Sequence, residues 1–469
     1  MICWILSVCE AAGTTSQLPV KGAHVEPLVL GERNRSQPTL VKALQQLTDF
    51  QRITTTADDE GMFHTPHSAD NEHPPLDAVP QTDTIERATY ENVAVRLLCA
   101  DLHPDHDSIC TFRRTNGDLL RSSFEQVLAM AAQMRVLKLG QVTLAIDGTK
   151  ILANASKHSA VSHARAMAQI ELLEKQVGEL LAKAEAADST PLEDGLTLPE
   201  EISRRRDRLE QLRAASEVIK ARAKERYQQE LAQFQAKEQE RAARAKASGK
   251  KPGGRPPQPP QVGPRDKDQF NFTDPESRIM KTPEGFGQSY NAQAAAEVES
   301  RLLVGVNVSD APNDKEQLRP TLAAVIPLIE SVEAVLVDSG FYSAGAVAAV
   351  EGSDEEKTGV LVYAATGRKP HGRTVQELEK RADPPPPGAD VSAKERMKNR
   401  LETKKGRELY ALRKQTIEPI FGIIKETLGF RRFSLRGLQN VRTEWTLVTL
   451  AYNLKRLFHL GGATGQLAA

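Results

Sequence analysis

Nothing in this 469-residue chain is long and apolar enough to span a bilayer. The opening run MICWILSVCEAAG is short and has no basic leader, so a secretory signal is not expected. A lipoprotein cleavage site is not expected either, because Val8 stands where a smaller residue belongs. Cysteine is scarce. Cys3, Cys9, Cys99 and Cys110 form no CxxC pair and repeat at no metal-binding spacing. The thiols are expected to be buried or incidental, and a reducing cytoplasm fits. Net charge is also missing, since 62 Lys and Arg balance 62 Asp and Glu. Overall charge thus points to no polyanionic partner. Its distribution does, because Lys394–Arg456 carries 16 basic residues against 6 acidic ones. Such a stretch can displace counterions from phosphates, or it can be a solvated helix face. With 39% hydrophobic and 26% charged residues, the composition is that of a water-exposed globular protein.

Residues 1–83 are polar and rich in turn formers, with one helical pattern near Leu40–Phe50, and poor order is expected there. Residues 84–140 read as a small helical domain, a candidate DNA-binding region, with Ser122 and Glu125 as the capping box of its last helix. VTLAIDG (142–148) is a β-rich run that Gly148 should stop, so residues 141–158 begin a core. Residues 159–265 change character. Ile170, Val177, Leu181 and Ala184 form one stripe, and Ile202, Leu209, Leu212, Ile219 and Ala223 another, at coiled-coil-like spacing. A break at Pro191, Gly195 and Pro199 separates them, and Thr197 with Glu200 caps the restart. This predicts a long helical hairpin followed by a basic Pro/Gly-rich connector. Residues 266–460 read as α/β. QSYNAQAAAEVES and RLLVGVNVSD are paired strands, DKEQLRPTLAAVIPLIE a helix, EAVLVDSGF and GVLVYAA buried strands, and SAGAVAAVEG a short helix. Basic helices close the chain before a tail at 461–469.

Two segments, IDG at 146–148 and VDSGFYS at 337–343, each put an Asp at the end of an apolar strand beside a Gly. Ligand sites gather at strand ends of α/β sheets, where side chains leave the buried sheet. Two carboxylates from neighbouring strands suit Mg²⁺, a hard ion with oxygen ligands. Taken singly, either Asp can instead be a turn residue or a helix cap. Glu418 lies beside the helical stripe Ile417, Ile420, Phe421, Ile424 and Leu428, with Pro419 next to it. Proline suits a first helical turn, so a helix start or kink is expected here, where a Glu also complements the helix dipole.

The segments IDGTKILANASKHSA, TDPESRIMKTPEGFGQSYNAQAAAEVES, SDAPNDKEQL and VDSGFYS, with Tyr410–Lys425, resemble a bacterial insertion-sequence transposase of the DDE type. The resemblance is to the subgroup with a Tyr-Arg-Glu-Lys signature, here Tyr410, Arg413, Glu418 and Lys425. Four residues separate Arg413 from Glu418 where three are usual. The match runs from about Thr84 to His459. It implies a ribonuclease H-like mixed sheet with flanking helices, an N-terminal helical domain and an inserted helical hairpin. It further implies Asp147, Asp338 and Glu418 as catalytic, metal-binding carboxylates, on a first strand, a fourth strand and a late helix. Mg²⁺, replaceable by Mn²⁺, would be the cofactor. Double-stranded DNA, as terminal inverted repeats and target, would be the partner. A homodimer in the synaptic complex and a cytoplasmic, nucleoid-associated location are also implied.

Lys425 and Arg413 would contact phosphates, and Tyr410 either does the same or packs half-buried in a helix. Arg431, Arg432 and Arg436 resemble a phosphate-binding strip, or form a solvated basic loop. Trp445 is a base-stacking wedge or a core residue. His103, Asp105, His106 and Asp107 read as a polar turn rather than a metal site, and His158 and His163 lack zinc-spaced partners. Residues 1–83 carry none of the resemblance, as if a frame or start site had shifted. Two rival readings follow: a metal-dependent nuclease without strand transfer, and a degenerate transposase that only binds DNA.

Overall fold

The computed structural model describes residues 82–91, 93–99, 101–187, 198–248, 253, 256–283, 285–352, 358–367, 382–388 and 391–463. The expectations for Leu40–Phe50, for the rest of residues 1–81 and for Thr197 lie outside these residues. The chain divides into two units, residues 1–154 with 280–469, and residues 155–279.

The first unit begins with helices α1 (Thr82–Glu91), α2 (Val93–Leu98), α3 (His106–Thr115) and α4 (Gly117–Gln133). Asp105 caps α3 by accepting from the Ser108 N–H at 2.6 Å. His103 stacks on Tyr90, and His106 bonds Glu86, so these groups organise a turn. The expected capping box at Ser122 is corrected, because α4 starts earlier, at Gly117, and Ser122 lies inside it. Its buried Leu120, Phe124, Val127 and Leu128 form the apolar face that specifies the helix. Cys99 is buried, as expected, but it is disulfide-bonded and so not an incidental thiol. Cys110 is half-buried, and its sulfur accepts from Arg113 Nη2 at 3.6 Å.

The unit's sheet contains β1 (Val142–Leu152), β5 (Gly285–Glu297), β6 (Leu303–Ser309), β7 (Val332–Val337) and β8 (Leu361–Ala364). Its order is β4–β5–β1–β7–β8, with β4 spanning Arg278–Thr282 and β6 also paired to β5. β5 runs antiparallel to β1 and β6, whereas β7 is parallel to β1 and β8. Leu144, Ala145 and Ile146 of β1 and Val335, Leu336 and Val337 of β7 are fully buried. These are the continuous apolar runs expected of central strands covered on both faces.

Short helices α7 (Leu318–Ala323) and α8 (Ala344–Glu351) follow β6 and β7. The helix expected over 314–330 is thus only six residues long. Pro320 suits its first turn, but Pro327 forbids a helix through the later residues. α9 (Ala393–Glu402) and α10 (Lys404–Gly422) lead through a π-helical turn, Ile423–Thr427, to α11 (Leu438–Ala463). Ser392 and Glu395 form the capping box of α9. α11 packs against α4 and β6. Its Asn453 clamps Leu303 by accepting from the N–H and donating to the carbonyl, both at 2.8 Å. Trp445 is fully buried among Phe421 and Phe430 and donates its indole N–H to the Gln293 carbonyl. It is a core residue, which settles the wedge-or-core alternative.

The second unit pairs β2 (Ala160–Ser162) with β3 (Gln269–Asn271) and packs α5 (His163–Ala187) against α6 (Leu198–Ser248). Val161, Ala166, Ile170, Leu209, Leu212 and Ala215 form its apolar seam, with Phe270 and Phe272 against it. Arg213 bonds Glu174 across the helix pair at 2.7 Å. The connector's end is tied to α6 by Arg226–Asp268 and Arg265–Glu230.

Candidate active site

β1 does not stop at Gly148, as expected, but continues to Leu152. Asp147 therefore lies within the strand. Glycine at 148 serves close approach instead. A Cβ there would stand 2.3 Å from Gln293 Nε2 and 2.8 Å from Asp314 Oδ1. The parallel register pairs Ala145 with Leu336, so two residues further on Asp147 comes level with Asp338, just past the end of β7. Neighbouring strands lie roughly 5 Å apart, so the two aspartates are adjacent.

Each aspartate is fixed by a nearby backbone N–H. Asp147 Oδ1 accepts from Gly148 at 2.8 Å, and Asp338 Oδ1 from Gly340 at 2.7 Å. Burial pushes the Asp147 carboxyl up to about 6, and the charge of Asp338 adds to the rise. The Gly148 N–H and Arg413 oppose it, and Asp314 contributes a further small increase. Two like charges sharing a buried place is the situation a cation relieves.

Glu418 lies near the C-terminal end of α10, not at a helix start. The helix starts at Lys404 behind the Thr403 cap, and Pro419 sits inside it. Proline withdraws one N–H from the ladder close to the helix end, and the π turn follows directly. Ile417, Ile420, Phe421 and Ile424 are buried as their spacing predicts, and this turns Glu418 outward, its side chain 49% exposed. Arg413 joins the two sides. Its Nη1 meets Asp147 Oδ2 at 3.2 Å and its Nη2 meets Glu418 Oε1 at 2.9 Å.

Tyr410 is half-buried and feels the charge of Arg413 three residues further along the helix. Burial raises the Tyr410 hydroxyl above its ordinary value. Lys425 is half-buried and donates to the Lys150 carbonyl at 3.4 Å. The loop carrying Arg431, Arg432 and Arg436 is pinned along the end of β1. Phe433 N–H bonds the Leu152 carbonyl at 2.8 Å, and Arg436 Nε bonds the Asn154 carbonyl at 3.0 Å. Arg431 and Arg432 are exposed, and Arg431 pairs with Glu426.

Sequence reasoning missed Asp314, Lys150, Asn291 and Gln293. Asp314 Oδ1 accepts from Lys150 at 3.2 Å, Asn291 at 2.7 Å and Gln293 at 2.8 Å. Burial lowers the Lys150 ammonium, while Asp314, Asp147 and Asp338 act to hold its proton. The signal was present, because Asn291 and Gln293 are polar residues two apart, hence on one face, in an alanine-rich strand.

An all-oxygen set of Asp147 and Asp338 fits a hard divalent ion that takes its remaining ligands from water and phosphate. Glu418 is not gathered with them. Among the described residues, no three His, Cys, Asp or Glu side chains stand where they could together hold a metal ion.

Residues 389–458 match the family described as the transposase DDE domain. This match supports a DDE transposase. It covers Tyr410, Arg413, Glu418, Lys425 and the basic loop, but neither Asp147 nor Asp338. The mixed α/β sheet with flanking helices is consistent with such a domain. No curated protein and no solved structure matches the chain. Among the described residues, no helix is long and apolar enough to cross a membrane. A transposase domain acts on DNA, and divalent metals generally serve this class.

Proposed function

We propose that this chain is an insertion-sequence transposase of the Tyr-Arg-Glu-Lys subgroup, which cleaves DNA at element ends and transfers the freed strand into target DNA. The observation that carries the reading is the register that brings Asp147 level with Asp338 on adjacent parallel strands. A ribonuclease H-like core is supported by the order β6–β5–β1–β7–β8, with Asp147 on the first of these strands in sequence and Asp338 after the fourth. Asp147, Asp338 and Glu418 would hold Mg²⁺, or Mn²⁺ in its place. The bound metal supplies Lewis-acid activation of water and neutralises charge at the phosphodiester.

The protein's own groups position the strand. Lys425 and the exposed Arg431, Arg432 and Arg436 offer cations to successive phosphates beside β1, with Tyr410 and Arg413 completing the signature. Lys150, held by Asp314 next to the aspartates, adds a fixed positive charge where the phosphate would lie. The synaptic complex is read as a homodimer, and the location as cytoplasmic and nucleoid-associated. The helices at residues 84–140 are read as part of the DNA-binding surface.

The test is Mg²⁺- or Mn²⁺-dependent nicking of a fragment carrying the element's terminal inverted repeats, followed by joining to a target plasmid. Wild type should give both products, and Asp338→Ala neither. Unchanged nicking by Asp338→Ala would overturn the site. Nicking without joining would favour the nuclease reading.

A further inference from the structure

We propose that Arg413 is a latch on the carboxylate site: without DNA its guanidinium stands between Asp147 and Glu418 in place of a divalent cation, and a DNA phosphate draws it out. The inference rests on the carboxylate site proposed above and concerns how that site is regulated.

The Arg413 side chain is 8% exposed and bridges the sheet-borne Asp147 and the helix-borne Glu418 through its two terminal nitrogens. That is the position a cation shared by these carboxylates would take. Guanidinium keeps its proton at any working pH, so it cannot be neutralised in place. A divalent ion and a guanidinium a few ångströms apart in a part-buried pocket repel strongly. The two therefore compete for one seat. Competition also accounts for why Glu418 is not gathered with the aspartates among the described residues.

The present seat is incomplete. Arg413 Nε is buried and has no hydrogen-bond partner. A phosphate can accept from Nε and a terminal nitrogen together, in the paired geometry that guanidinium favours. A strand at the site thus offers Arg413 a fuller set of bonds than Asp147 and Glu418 do. The placement of the residues agrees. Arg413 and Glu418 are five positions apart on α10, and Tyr410 lies three residues before Arg413 on the same helix. By linkage, DNA that releases the latch must tighten metal binding, and metal must tighten DNA binding by the same factor. The device would keep the metal site weak until a strand is present to be cut.

Mn²⁺ binding to the full chain, followed by calorimetry and by the paramagnetic resonance of the ion, tests this with and without a short mixed-sequence DNA duplex. Without DNA, Arg413→Ala and Arg413→Gln should bind Mn²⁺ about tenfold more tightly than wild type, within the usual range of coupling between sites. Duplex should tighten wild type by a similar factor and leave both variants nearly unchanged. Arg413→Lys, which keeps a positive charge, should bind weakly like wild type. Should the alanine variant fail to fold by circular dichroism, the glutamine variant decides. Folded variants that bind Mn²⁺ no more tightly than wild type overturn the latch. Asp147→Asn and Asp338→Asn separate the two levels of the argument. If they abolish binding while the Arg413 variants show no gain, the latch alone fails. Binding that survives in both aspartate variants, or is absent from every protein, overturns the carboxylate site and the latch with it.

Discussion

The sheet side and the helix side of the site hold their carboxylates in different ways. Asp147 lies within β1 and Asp338 just past β7, each directly after a fully buried apolar run and each anchored by a backbone N–H within two residues. Glu418 projects from the outer flank of α10 and is held by an ion pair with Arg413. Burial holds Asp147 at an electrostatic cost, which raises its carboxyl. Glu418 avoids that cost by standing half in water, where an ion pair fixes position weakly. The sheet side holds its carboxylates through backbone N–H groups, and the helix side holds its own through an ion pair.

Activity should show this difference most strongly. Asp147→Asn or Asp338→Asn should reduce strand cleavage at least about a thousandfold, near 4 kcal/mol of barrier. Glu418→Asp, a shortened acid on the ion-paired side, should lose only about tenfold. Equal losses, measured as single-turnover rates, would break the comparison.

Next comes pH. The folded Asp147 carboxyl titrates near 6 and its ordinary value is 3.8, so the folded protein holds this proton more tightly than the unfolded chain. In the metal-free protein, stability should therefore fall as pH rises from about 4 to above 6, by up to about 3 kcal/mol. Asp147→Asn should flatten that dependence and raise the melting temperature at pH 7, as read by calorimetry across pH. A dependence unchanged by the substitution would mean that Asp147 does not bear the cost of burial.

Backbone substitutions are a smaller probe. Gly148→Ala forces a methyl onto the Gln293 amide and should cost about 2 kcal/mol in denaturant unfolding. Gly422→Ala, at the end of α10 with nothing within 4 Å, should be neutral or stabilising by less than about 1 kcal/mol. The reverse order would contradict the packing described on the two sides.

The same division governs what could be read without coordinates. The strands around Asp147 and Asp338 were legible because strands covered on both faces are written as unbroken apolar runs. Gly148 was misread as a stop, since its neighbour Gln293 is 145 residues away in sequence and only the sheet register brings it near. Asp314 was invisible for a similar reason. It lies on a loop, and its partners Lys150, Asn291 and Gln293 come from two strands. On the helix side, the buried stripe from Ile417 to Ile424 was legible from its spacing. Of the two places allowed for Glu418, the helix start failed, because Pro419 suits a first turn and here sits inside α10 near its end. The Arg413 bridge was hidden too, because it depends on how α10 lies against β1.

Whether the aspartate pair and Glu418 make one metal site is open to a direct measurement. Fe²⁺ replaces the divalent ion, peroxide generates radicals at the bound iron, and backbone cuts are mapped by mass spectrometry. With duplex DNA present, cuts should cluster around Asp147, Asp338 and Glu418 and disappear in Asp338→Asn. Cuts at the two aspartates but never near Glu418, or cuts at none of the three, would contradict the account.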